Sequence, residues 1–201
     1  MRDFLAAGIL LIPVLVLIIV AAGLYAVYRY KRFQHLAVHE PEMMYRSAWL
    51  EPAALADVIG KYQIRAVMNV CKPGEMGEER WIAERHAVKH AGARLLELEM
   101  PLKVTADFDD SRIAAQLEAL GDPDNYPMLV HCQHGVTRTA KTLLLYDVLY
   151  RGMSAEKSLN EMPLFGREQQ NVHVRAFARE IDENRETLIA SRAAESLAVL
   201  R

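Results

Sequence analysis

The stretch His131-Cys132-Gln133-His134-Gly135-Val136-Thr137-Arg138-Thr139 decides how the chain is read. The apolar run Met128-Leu129-Val130 enters it, and residues 140–150 leave it at helical spacing. That pattern is a buried strand, a tight loop and a helix. A loop that opens a helix gathers backbone N–H groups around one point, where the helix dipole also favours negative charge. Cys132 starts this loop and sits in a field that lowers a thiol's pKa. Arg138 follows after five intervening residues with a planar fork suited to two phosphate oxygens. Thr139 can offer its hydroxyl to the sulfur. Gln133, His134, Gly135, Val136 and Thr137 contribute mainly backbone N–H groups. Gly135 suits a position that needs unusual backbone angles or close approach to an anion. Nucleophile, oxyanion cradle and guanidinium clamp together describe a site for a phosphate ester.

His-Cys, five residues and Arg-Thr between a strand and a helix resembles the signature of the cysteine-dependent tyrosine and dual-specificity phosphatases. Tyr45-Arg46-Ser47, a helix, then a strand ending Asn69-Val70-Cys71 resembles the opening of the bacterial and atypical dual-specificity branch. Leu159-Asn160-Glu161-Met162 resembles a recurring helix of the same family, so the resemblance covers most of residues 43–166. Ala140 departs from the pattern, which more usually has Gly there.

The resemblance implies hydrolysis of phosphate monoesters through a phosphocysteine intermediate on Cys132, with no cofactor and no metal. Protein phosphotyrosine or dual-specificity substrates are the leading expectation, and a phospholipid or sugar phosphate is the alternative. It implies that His131 holds the loop rather than meeting substrate. It also implies a general acid, an Asp on a loop upstream of the Cys. Asp107, Asp109 and Asp110 lie on such a loop. Asp109, Asp110 or Ser111 is needed as N-cap of the next helix, which leaves Asp107 as the expected acid and Asp109 as the second choice. In the phosphatase-and-tensin branch a non-catalytic Cys can pair with the nucleophile. Cys71, at the end of the second strand, is the corresponding redox partner of Cys132, or else a small buried residue. Two other classes compete with hydrolysis: a catalytically weak phosphate-binding scaffold, and sulfur transfer through a persulfide on Cys132.

The 201 residues allow one ordinary domain with an appendage. A net charge of −2 and the lack of a long basic run argue against a nucleic-acid partner. The two cysteines are not in a metal-ligand spacing. From Phe4 to Tyr28 no residue is charged, and as a helix this stretch would be about 37 Å long, enough to cross a bilayer core of about 30 Å. A cleaved signal peptide with an exported domain is the rival, but its apolar region would be shorter. Arg29, Lys31 and Arg32 after the span, against Arg2 before it, place the following domain in the cytoplasm.

The expected organisation is an anchor with its basic flank at 1–32, a connector at 33–42, a phosphatase domain at 43–166 and a helical extension at 167–201. Strands are expected at 64–70, 93–102 and 128–130, with 43–47 a first short strand or entry segment. Helices are expected at 52–62, 78–91, 111–120, 140–151, 154–162 and within 169–201. The helix at 78–91 should bury Trp81, Ile82 and Val88. Alternation of strands and helices predicts an α/β fold with a central, mostly parallel sheet. A membrane phospho-substrate or phosphorylated protein is the expected partner, with oligomeric state open.

Overall fold

The computed structural model describes residues 2–102, 111–163 and 167–199. Helix α1, Arg2–Arg32, contains the apolar segment Ile12–Arg32, whose mean hydropathy is 2.1 and which is not buried against the rest of the chain. It is long and apolar enough to cross a membrane. Arg29, Lys31 and Arg32 form its last turn.

The domain that follows is an α/β fold around a five-stranded mixed sheet of order β1-β2-β5-β3-β4. The strands are β1 (Ala37–Glu40), β2 (Met44–Ala48), β3 (Ala66–Asn69), β4 (Arg94–Glu97) and β5 (Met128–Cys132). All neighbours run parallel except β1, which pairs antiparallel with β2 at one edge. Helices α2 (Pro52–Tyr62), α3 (Glu78–His90) and α4 (Ser111–Gly121) lie between successive parallel strands. Parallel neighbours need crossovers of this kind. Strand β1 falls inside the segment expected to be a connector. It is four residues long and mostly half-exposed, so it leaves no apolar periodicity to read.

Side-chain alternation along the central strands builds the two faces of the core. Met128 and Val130 of β5 join Met44 and Met68 on one face, under α4 and the three helices that follow β5. Leu129 joins Tyr45 and Val67 on the other, against α2 and α3. Helix α5 (Thr137–Leu149) is buried on all sides from Arg138 to Val148. Helices α6 (Ala155–Glu161) and α7 (Val172–Val199) pack on it. Ser154 caps α6 by accepting a hydrogen bond from the Lys157 amide. Such a cap satisfies an amide that the first turn cannot.

One helix face differs from expectation. On α3 the inward stripe is Trp81, Glu84 and Val88, while Ile82 is 45 % exposed. The spacing of 81, 84 and 88 is a sound helical stripe. Its middle position carries a carboxylate because a polar partner waits beneath it, as described below. On α7, Val174, Phe177, Ile181 and Leu188 face the core, whereas Val172 and Ile189 face outward. These α7 side chains belong to the same cluster as β5 and α5. Phe177 is fully buried there. Phe177→Ala is expected to destabilise the folded chain by about 3–5 kcal/mol, read as a lower urea midpoint in detergent solution.

Candidate active site

Cys132 ends β5 opposite Ala48 of β2, at the carboxyl edge of the sheet. In open α/β sheets this edge is where ligands bind. Residues 133–136 form the loop, and α5 begins at Thr137. Gly135 has φ +65°, and a Cβ built there would lie 2.5 Å from the Ala48 amide nitrogen. Only glycine fits a left-handed position pressed so closely on a neighbouring backbone.

The loop is tied down by its carbonyl oxygens. Arg46 of β2 donates from Nη2 to the Gly135 carbonyl at 2.5 Å. The same guanidinium pairs with Glu168, and both side chains are wholly buried. The Trp49 amide donates to the Gln133 carbonyl at 3.3 Å. His35, from the segment that follows α1, lies with Nδ1 2.7 Å from the His134 carbonyl oxygen. Asn171 donates to the Thr137 hydroxyl at 2.9 Å, which links the start of α7 to the start of α5.

Cys132 is 2 % exposed. Burial alone would raise its pKa, but other groups reverse the sign and hold the thiol below its ordinary value. They are the Thr139 hydroxyl and amide, the Arg138 charge and the His134 amide. The Thr139 hydroxyl is buried and makes no hydrogen bond to a nitrogen or oxygen. Cys71 behaves oppositely: burial pushes its thiol up to about 12, and the neighbouring Cys132 adds to the effect. Both cysteines are free thiols. Asn69 lies opposite His131, so Cys71 emerges from β3 alongside the end of β5. Of the two sulfurs, Cys132 is the one poised to be a thiolate.

Arg138 stands in the first turn of α5, and its side chain is buried. Its two terminal nitrogens donate to the two carboxylate oxygens of Glu75, each at 2.5 Å. This two-point pair fixes the guanidinium plane and holds the Glu75 carboxylate below its usual range. Beneath the loop, His131 Nε2 lies 2.8 Å from Glu84 Oε1, both side chains being buried. Burial opposes a charge on His131, but Glu84 outweighs it and raises the imidazole's pKa. Glu84 also accepts from Asn69 Nδ2 at 2.6 Å, and Asn69 Oδ1 accepts from the Cys71 amide at 2.9 Å. This chain of contacts explains the inward carboxylate of α3.

The structure brings Cys132, Arg138, Thr139 and His131 together with the loop 133–137, and His134 is exposed at its rim. Asp107 and its alternative Asp109 lie outside the described residues. Glu75, Glu84, His35 and Glu168 carry no signal in the sequence, because each reaches the site from a distant part of the chain, and Arg46 stands out there only within Tyr45-Arg46-Ser47. Lys141, one turn after Arg138 in α5, carries no separate signal in the sequence. It is buried, donates to the Leu102 carbonyl at 2.8 Å, and burial lowers its pKa to about 8. His86 and His90 sit one turn apart on the exposed side of α3. Among the described residues no third donor joins them to make a metal site.

No protein-family model and no curated protein sequence matches the chain. Solved structures do. TpbA of P. aeruginosa is similar at 23 % identity over 77 % of this chain and 90 % of that one, with a TM-score of 0.55. The core catalytic domain of the PP-IP phosphatase SIW14 from S. cerevisiae is similar at 20 % identity over 81 % and 93 %, with a TM-score of 0.57. A putative phosphatase of Shewanella putrefaciens is similar at 16 % identity over 79 % and 95 %, with a TM-score of 0.53. These likenesses define the class of fold: the α/β fold of these phosphatases.

Two outcomes follow from the geometry. Thr139→Val removes a donor to Cys132, so the rate of alkylation by iodoacetamide should rise with pH at a higher midpoint than in the parent. The sign is fixed because only the thiolate reacts. Gly135→Ala should misplace the loop amides and lower any turnover by about 10²–10³-fold, the usual loss for an oxyanion donor.

Proposed function

We propose that the chain is a membrane-anchored, cysteine-based phosphatase that hydrolyses phosphate monoesters. The observation that carries this reading is Cys132, its thiol held below its ordinary pKa by Thr139, Arg138 and the His134 amide at the start of the loop. Cys132 Sγ attacks phosphorus, and the P–O bond to the leaving group breaks. Asp107 gives the leaving oxygen its proton. A water, deprotonated by Asp107, then attacks the phosphocysteine, the S–P bond breaks and phosphate leaves. Arg138 and the loop amides carry the charge that spreads over the transferring phosphoryl group. Thr139 steadies the departing sulfur, and Gln133 to Thr137 supply the amides.

Protein phosphotyrosine is the first substrate class. It is supported by the resemblance of the signature and by the similar structure of a cysteine-to-serine variant of TpbA in complex with pTyr, at 23 % identity and a TM-score of 0.52. A phosphate on a membrane surface is the second reading, and one observation favours it. Only residues 33 and 34 separate the last basic residue of α1 from His35, which touches the loop. That much chain spans about 10 Å at most, so the site works close to the bilayer. The basic flank of α1 supports a cytoplasmic domain. Cys71 is proposed as a redox partner for Cys132 on the strength of its place at the end of the neighbouring strand.

The test uses the full chain in detergent, with reductant, against para-nitrophenyl phosphate and against a phosphotyrosine peptide. Turnover is expected in the parent and none in Cys132→Ser. A persulfide on Cys132 with no ester hydrolysis would instead assign the chain to sulfur transfer. Asp107→Asn should lower kcat by about 10²–10⁴-fold, the range for a lost general acid.

A further inference from the structure

We propose that His35, on the short arm between the anchor and β1, is a positioning residue of the phosphate loop. It would aim the Gly135 amide at the substrate's phosphate. The inference rests on the phosphatase reading of the same site.

A carbonyl oxygen only accepts, so His35 Nδ1 carries the proton in its 2.7 Å contact with His134. The peptide bond is planar and trans, which makes its C=O and N–H point in opposite directions. Fixing the His134 carbonyl on the outside of the loop therefore turns the Gly135 N–H inward. Arg46 does the same for the next peptide, holding the Gly135 carbonyl at 2.5 Å and turning the Val136 N–H inward. One of these two ties comes from the central sheet. The other comes from the chain that leaves the membrane helix.

The arm is itself held in place. His35 adopts φ +56°, an uncommon left-handed conformation for a residue with a side chain. The Leu36 amide closes the turn onto the Phe33 carbonyl at 3.1 Å. The Gln34 carbonyl accepts from the amide of Ala48, the β2 residue opposite Cys132, at 2.9 Å. Phe33 and Leu36 pack on the core face formed with α2. Tyr30 of α1 meets the His35 ring edge-on, with centroids 6.5 Å apart. Arg32 pairs with Asp57 of α2 at 2.5 Å. An uncommon backbone conformation kept in place by so many contacts points to use.

The experiment compares the full chain with His35→Asn and His35→Gly in detergent micelles. Asn places a nitrogen donor at the same number of bonds from the backbone and tolerates the left-handed conformation. Gly suits that conformation but removes the donor. His35→Gly should lose about 10–100-fold in kcat toward para-nitrophenyl phosphate, and orthophosphate should inhibit it more weakly, with the thermal midpoint unchanged. His35→Asn should stay within a few-fold of the parent on both measures. Full activity in His35→Gly would overturn the proposal. So would an equal loss in His35→Asn and His35→Gly at unchanged stability. If His35→Gly is itself unstable, His35→Asn decides alone: a folded, impaired Asn variant refutes the role. A parent chain that turns over no ester would sink the phosphatase reading instead. Binding of orthophosphate to the parent and to His35→Gly by calorimetry would then judge His35 separately, equal affinities overturning it.

Discussion

The site depends on a buried charge. Arg46 has no exposed surface, pairs with Glu168 and donates to the Gly135 carbonyl. Taking two charges out of water costs several kcal/mol each, and leaving one of them alone costs about 3–5 kcal/mol. The pair therefore survives only while the turn before α7 stays seated beneath the loop. Helix α7 leaves that turn and packs Val174, Phe177 and Ile181 into the core cluster shared with β5 and α5. The turn itself supplies the counter-charge, Glu168, for the residue that shapes the loop. Gly135 answers the same constraint from the other side, since only a residue without a side chain lets the loop press against Ser47 and Ala48.

The signature stretch was legible because its information is local. Strand, loop and helix follow one another, and the residue types state both the backbone geometry and the chemistry. The α/β architecture was legible for a similar reason, in the alternation of apolar runs with helical spacing. What escaped reading is non-local. Glu84 looked like one more charge on a surface helix, and Ile82 looked like its apolar face. Only the meeting of α3 with His131 and Asn69 reverses the two. Glu75 is an unremarkable loop residue until Arg138, 63 positions away, turns toward it. His35 and β1 lie in a stretch without periodicity, where edge pairing and contacts to distant segments do the organising.

The two cysteines show how neighbours rather than burial decide reactivity. Both thiols are buried, and burial pushes both upward. Cys132 has donors and a cation arranged around its sulfur that outweigh that push, while Cys71 has too few. The loop that would bind a phosphoryl group is thus the same device that lowers the Cys132 pKa. The groups that would bind substrate and the groups that lower the Cys132 pKa are one arrangement, so a change to either should be felt by both.

Helix α5 is enclosed on every side from Arg138 to Val148. Segments with so little access to solvent open only when the whole domain opens. Amide hydrogens in α5 should therefore be among the last to exchange with deuterium, although the loop at its start borders an exposed rim. A site built on the most protected helix does not fade by local fraying as temperature rises. Its loss coincides with cooperative unfolding of the sheet and α7, so heat inactivation reports on global stability.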